Sequence, residues 1–305
     1  MRRSLTVAMM VVLGVAFAGC SREAPTAGDG QGEIEAVVRT TFAPTTEFAR
    51  SIAGGLVEVE CPLPPGEDPI FWSPTPEQIG LYQRARLVIV NGAELEKWVP
   101  SAAIPRSRVV DTCDSFRDQF IHIEGATHSH GPKGEHSHQG VDGHTWMDPI
   151  LAIEQARAIQ RAMSGAFPEH AEAFERNLEG LIERLRLLDA RYRELDTNGV
   201  ILIASHPAYN YLSRRYGWGV QSLDLDPEAE LSEEDLSAIT ALVRPGTRGV
   251  VLWESAPLES TRQRIEDAGL ASVVFSPAEN PGADEGDYFT IMAGNIERLW
   301  EALGG

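Results

Sequence analysis

The chain alternates two kinds of hydrophobic pattern. Short runs rich in Val, Ile and Leu, namely IEAVVRTT (34–41), LVEVEC (56–61), LVIVN (87–91) and SRVVDTC (107–113), are separated by stretches with helical apolar spacing. Continuous apolar strands with helices between them are the pattern of a parallel sheet covered on both faces. Thr75-Pro76-Glu77-Gln78 predicts a helix start, with Thr as N-cap, Pro in the first turn and Gln placed to close a capping box. The alternation resumes in GVILIASH (199–206), WGVQSLD (218–224), TRGVVLWE (247–254) and ASVVFS (271–276). Helices are expected after these strands, including SEEDLSAITALV, capped by Ser232, and the terminal DYFTIMAGNIERLWEAL.

Between the halves, Asp148-Pro149 opens a helix running to about Ala166, and Pro168 opens a longer one. In the second, Ala171, Phe174, Leu178, Leu181, Leu185, Leu188, Tyr192 and Leu195 form one unbroken apolar stripe. At 1.5 Å per residue such a helix is roughly 40 Å long, the proportions of a strut. The expected fold is therefore α/β: two lobes, each a roughly four-stranded parallel sheet flanked by helices, joined by one long rigid helix.

The N-terminus changes the picture. In MRRSLTVAMMVVLGVAFAGC, Arg2 and Arg3 precede an apolar run, Leu5 to Ala18, that is too short to span a bilayer comfortably, as in a secretory signal. The ending Ala18-Gly19-Cys20 resembles a bacterial lipobox, with Phe17 where an aliphatic residue is usual. That resemblance implies cleavage before Cys20 and lipidation of its thiol. SREAPTAGDGQG then has the composition of a flexible tether. The expected layout is a signal peptide over 1–19, a lipidated tether over 20–32 and a first lobe over 33–166 with a His-rich loop at 122–144. A linking helix over 167–197 and a second lobe over 198–305 complete it.

Charge narrows the partners. The formal net charge is −19, or −21 once Arg2 and Arg3 are cut away, which argues against nucleic acid and against anionic lipid beyond the anchor itself. Of the three cysteines, Cys61 and Cys113 each close a strand-like run. An oxidising compartment permits a disulfide between them; two separate thiols are the alternative.

The chain has eight histidines, and five of them, His128, His130, His136, His138 and His144, fall within THSHGPKGEHSHQGVDGHTWMDP. His-x-His in a flexible segment gives weak, exchangeable metal binding, and a solvated insertion is the plain alternative. Ligands of open parallel sheets bind beyond the carboxyl ends of the strands. There the chain places His206, Glu254 and, in PLPPGEDPIFW, Glu67 and Asp68, while His144 follows the His-rich run. Imidazoles and carboxylates are donors for a divalent transition metal.

Several segments, in order, resemble the solute-binding proteins of zinc and manganese ABC importers, the ZnuA/TroA-like family. They are SPTPEQIGLYQRARLVIVNGAELEKWV, HTWMDP after a His-rich loop, ASHPAYNYLSRRYG and VVLWESAPLESTRQRIEDAG, and the likeness covers nearly all of the mature chain. The resemblance implies two lobes around a rigid helix and makes His144 and His206 metal ligands. It fails at two places: Ile70 follows Asp68-Pro69 where the family commonly has a ligand His, and Ser276 stands where it commonly has an Asp. Glu254, Asp68, Glu67, Glu279 or a loop His would then have to complete the shell.

The implied function is that of an extracytoplasmic lipoprotein, in the periplasm or on the cell surface, that captures a divalent metal and hands it to an importer permease. It would act as a monomer and not as an enzyme. Imidazole donors favour Zn2+, with Mn2+ next. Phe71 and Trp72 are expected to pack between the lobes, and His122 and His170 to be structural or exposed. One rival keeps the fold with a non-metal solute or metal chelate, for which Ile70 and Ser276 would be the marks. The other is an exported metallohydrolase, against which stands the lack of His-Glu-x-x-His and Gly-x-Ser-x-Gly in the chain.

Overall fold

Two parallel four-stranded sheets carry the protein. The computed structural model describes residues 34–129, 135–280 and 286–305, with backbone alone over 124–129 and 135–139. The expected signal segment, Cys20 with its expected tether, and His130 lie outside the described residues. The first sheet is built from β1 (Glu35–Thr40), β2 (Glu58–Glu60), β3 (Ala85–Val90) and β4 (Val109–Asp111), with α1 (Ala43–Ala53) and α2 (Pro76–Arg84) between strands. Its order is β2-β1-β3-β4. An antiparallel hairpin, β5 (His122–Ser129) and β6 (Glu135–Val141), leads to α3 (Pro149–Ala166) and α4 (Ala171–Arg193).

The second lobe holds β7 (Val200–Ala204), α5 (Asn210–Tyr216), β8 (Val220–Ser222), α6 (Glu233–Leu242), β9 (Arg248–Trp253), α7 (Glu259–Asp267), β10 (Ala271–Val274) and α8 (Tyr288–Leu303). Its order is β10-β9-β7-β8. The expected strand and helix order is thus found in both halves. The capping boxes at Thr75–Gln78 and Ser232–Asp235 close as their sequences predict. Among the described residues no helix is long and apolar enough to cross a membrane.

Four expectations need correction. The linking helix is α4 alone, about 35 Å at the standard rise, because Pro168–His170 forms a separate 3-10 turn. The helix packs along α3 and α1 and also meets α8, burying Phe174, Leu181, Leu185, Leu188 and Tyr192. Second, the backbone of the His-rich segment is not a loop, since it pairs in register with His128 opposite His136 and Ala126 opposite His138. A ladder satisfies backbone groups whatever the side chains are, so polar composition conceals it.

Third, Cys61 and Cys113 are free thiols. They follow β2 and β4, the two outer strands of a four-stranded sheet, about 14 Å apart at ~4.8 Å per strand, which no disulfide can bridge. Fourth, Trp72 packs inside the first lobe, edge-on to Tyr82 and Trp98 at 6.4 and 5.6 Å, while half-buried Phe71 lies beneath Lys97. An aromatic that does join the lobes is Trp146. It is fully buried, its ring lies 4.7 Å from Phe42, and its Nε1 donates to Pro277 O at 2.7 Å.

Candidate metal site

Every candidate donor lies at the carboxyl end of a strand or in a loop that returns to one. β7 runs into buried Ser205 and His206. Because α5 starts only at Asn210, with Tyr209 as its N-cap residue, His206 caps no helix. β9 delivers Glu254 directly, its amide facing Ser205 Oγ at 3.4 Å. The loop after β2 folds back at Asp68, whose Oδ1 accepts from the Ile70 amide at 2.7 Å. After β10 the chain turns at Ala278, whose φ of +60° lies in the left-handed region that non-glycine residues seldom enter. The next residue is Glu279, and its carbonyl accepts from the Ala43 amide at the start of α1 at 3.2 Å. Asn280 then donates to Pro64 O and Glu67 O at 2.7 and 2.8 Å, so the closing loop of the second lobe is sewn to the Asp68 loop of the first.

His144 sits just after the hairpin, 2% exposed, with Asp142 beside it at 1%. The His144 and His206 rings face each other edge to face at 5.7 Å between centroids. On one side His144 Nδ1 lies 2.7 Å from Asp142 Oδ1. On the other, Nε2 lies 2.7 Å from Glu279 Oε1 without the alignment of a hydrogen bond. His206 Nδ1 is 4.0 Å from Glu254 Oε2. A cavity of about 240 Å3 opens onto Asp68, Ile70, His206, Glu254, Ser276 and Glu279.

The electrostatics follow from crowding like charges away from water. Burial, then the neighbouring Glu279 carboxylate, push Asp68 up to about 7. Burial, with Glu279 and Asp68, pushes Glu254 up to about 8. Burial by itself would lower His144, but the Asp142 and Glu279 carboxylates override it and hold the imidazole at about 10. Such a site keeps protons at neutral pH or exchanges them for a cation. Two imidazole nitrogens and three carboxylates suit a divalent transition metal in number and kind.

Among the described residues, no three His, Cys, Asp or Glu side chains already stand in a finished coordination geometry. Glu279 Oε1 lies against His144 Nε2 at 2.7 Å, and Asp68, His206, Glu254 and Glu279 line one cavity. His144 and His206 pack ring to ring; Glu67 lines the same cavity and offers its carbonyl to Asn280. Ile70 walls the cavity with a hydrocarbon side chain. Ser276 turns its hydroxyl to the Ala278 amide at 3.2 Å, and Glu279 reaches the site in its place. His122 is exposed and His170 packs on Phe174 at 5.9 Å, outside the cavity lining. Asp142 and Asn210 are polar residues that sequence reasoning passed over. The spacing Asp142-x-His144 was the one available signal for the first, and nothing local marks the second.

The fold is that of a two-lobed α/β binding protein whose cleft gathers imidazole and carboxylate side chains. The chain belongs to the ZnuA family, zinc-uptake complex component A, periplasmic, whose model matches residues 38–302. It is 29% identical over 287 residues to the high-affinity zinc uptake system protein ZnuA of Bacillus subtilis, covering 90% of this chain and 89% of that protein. It is 27% identical over 280 residues to the zinc-binding lipoprotein AdcA of Streptococcus pneumoniae, covering 85% of this chain and 54% of AdcA. The chain thus spans about half the length of the AdcA relatives. In structure it resembles the metal-dependent lipoprotein YcdH of Bacillus subtilis, with a TM-score of 0.75, 25% identity, and coverage of 88% of this chain and 99% of that one. It shares the fold of the Zn(II)-bound ZnuA-like domain of Streptococcus pneumoniae AdcA, with a TM-score of 0.74, 24% identity, and coverage of 90% and 100%. The family expected from the quoted segments, and its two-lobed fold, are borne out.

Proposed function

We propose that this chain is the extracytoplasmic receptor of a zinc-uptake ABC importer, anchored through Cys20 and acting by carriage rather than catalysis. Zn2+ is the cargo. His144 Nε2, one nitrogen of His206 and the Glu279 carboxylate bind it, and Asp68 and Glu254 supply the remaining oxygen and balance its charge. The observation that carries this reading is the meeting of two imidazoles from opposite lobes, 5.7 Å apart, with Glu279 Oε1 against one of them. The membership of the ZnuA family and the zinc-binding names of its relatives support it.

Calorimetry on chelator-stripped protein tests it. Zn2+ is expected to bind at one site per chain, and His144→Ala with His206→Ala to abolish binding. A stripped protein that takes up no zinc at neutral pH refutes the reading, and a double variant of unchanged affinity refutes the ligand assignment. Manganese is the second reading, favoured by the excess of carboxylates over imidazoles. Titrating Mn2+ against the zinc-loaded protein separates the two.

A further inference from the structure

The two loops that carry the imidazoles meet at one carboxylate. Asp142, in the first lobe, uses three acceptor atoms at once. Its Oδ1 accepts from the His144 amide at 3.0 Å and lies 2.7 Å from His144 Nδ1. Its Oδ2 accepts from Asn210 Nδ2 of the second lobe at 2.9 Å, and its carbonyl from Tyr211 Oη at 2.9 Å. Asn210 Nδ2 also donates to Pro207 O at 3.2 Å, next to His206. Tyr211 Oη in turn accepts from the Ile121 amide at 3.2 Å, at the foot of the hairpin. One buried carboxylate thus bonds its own lobe's imidazole and the other lobe's imidazole-bearing loop.

We propose that the Asp142–Asn210 bridge is the positioning device of the metal site: it holds the His144 ring with Nε2 turned to the cleft and keys the His206 loop to it, so that the imidazole spacing is set before a cation arrives. The proposal rests on the metal-receptor reading above. A carboxylate accepts and cannot donate, so the proton of a neutral His144 sits on Nδ1 and the lone pair is left on Nε2. A ring held only by its own lobe would keep that tautomer but not its distance to His206. The contact through Asn210 fixes that distance, and two imidazoles already spaced lower the cost of ordering donors on binding.

A polarity swap tests this. In Asp142→Asn the new amide can still accept from Nδ1, but its NH2 faces the NH2 of Asn210. Zinc affinity, measured by competition with a chromophoric chelator, is expected to fall about 10–100-fold. Asn210→Asp sets two carboxylates face to face and weakens binding as well. The double variant restores a donor opposite an acceptor and is expected to recover at least about tenfold over the weaker single variant. The visible absorption of bound Co2+, which reports ligand geometry, should move in each single variant and return in the double, a change that a loss of folding stability alone would not produce. Asn210→Ala, which removes the bridge and leaves Asp142 intact, is expected to weaken zinc binding and serves if Asp142→Asn does not fold. Single variants within about threefold of the parent, or additive losses with an unmoved Co2+ spectrum, overturn the proposal. A parent chain that binds neither zinc nor cobalt overturns the receptor reading and the bridge with it.

Discussion

Zinc uptake by this site should expel protons. His144 is held at about 10 by Asp142 and Glu279 against the opposing effect of burial, so at pH 7 the free protein keeps that imidazole charged, with no lone pair for a metal. Freeing it about three pH units below its titration point costs about 4 kcal/mol, at ~1.4 kcal/mol per unit. Glu254, pushed up to about 8 by burial and by Glu279 and Asp68, adds about 1 kcal/mol on the same scale. Asp68, at about 7, is half protonated there. Between two and three protons should therefore leave per zinc bound at pH 7. The assay is calorimetry in several non-chelating buffers of different ionisation enthalpy, with the slope of observed heat against that enthalpy giving the proton count. The apparent association constant should climb at least about tenfold per pH unit from 6 to 8, one proton per zinc setting that minimum slope. Heats independent of buffer, together with an affinity flat across that range, would show that no protonated ligand is displaced and would refute the electrostatic account of the site.

The same groups govern the metal-free fold. For Asp68, Glu254 and His144 the folded protein binds protons more tightly than the unfolded chain. Their contribution to stability is present in mild acid and is lost as pH rises through about 7, 8 and 10. In chelator the melting temperature should fall between pH 5 and 8, and the gain on adding zinc should be largest at the alkaline end; a metal-free protein that grows more stable over that range contradicts this. Ile70→His places an imidazole on the cavity wall, and zinc affinity should rise about tenfold or more with a gain over manganese; unchanged affinity would show that position 70 does not face the donors. Trp146→Ala removes the buried ring between the lobes and the partner of Pro277 O, and urea titration should show a loss of about 3–5 kcal/mol. A loss below about 1 kcal/mol would mean the lobes are held chiefly elsewhere.

How the site could be read in part from the chain alone is plain from particular residues. His206 and Glu254 were legible because strand ends are legible: a run such as VVLWE stops where its apolar residues stop, and parallel strands present their carboxyl ends to ligands. His144 was legible from the segment HTWMDP and its likeness to a known family. Ile70 and Ser276 could be seen to be hydrocarbon and hydroxyl where donors were wanted, and Glu279 could be named only as one candidate among several to replace them. Glu279 comes from a loop that reverses at Ala278 in the left-handed region and docks on the start of α1, which no local pattern announces. The hairpin pairing of the His-rich segment was hidden because ladder formation does not depend on side-chain polarity.

Local periodicity and capping residues determine which stretches become strands and helices, since those patterns act over a few residues. The alternation of such elements determines the two parallel sheets. The separation of the cysteines, the Trp146 wedge and the Asp142–Asn210 contact are decided elsewhere. The two contacts join residues 68 and 131 positions apart, and they, like the cysteine separation, follow from strand order and lobe packing. A contact between distant residues leaves no periodic trace in either segment, because each side chain obeys its own local rule until the fold brings the two together.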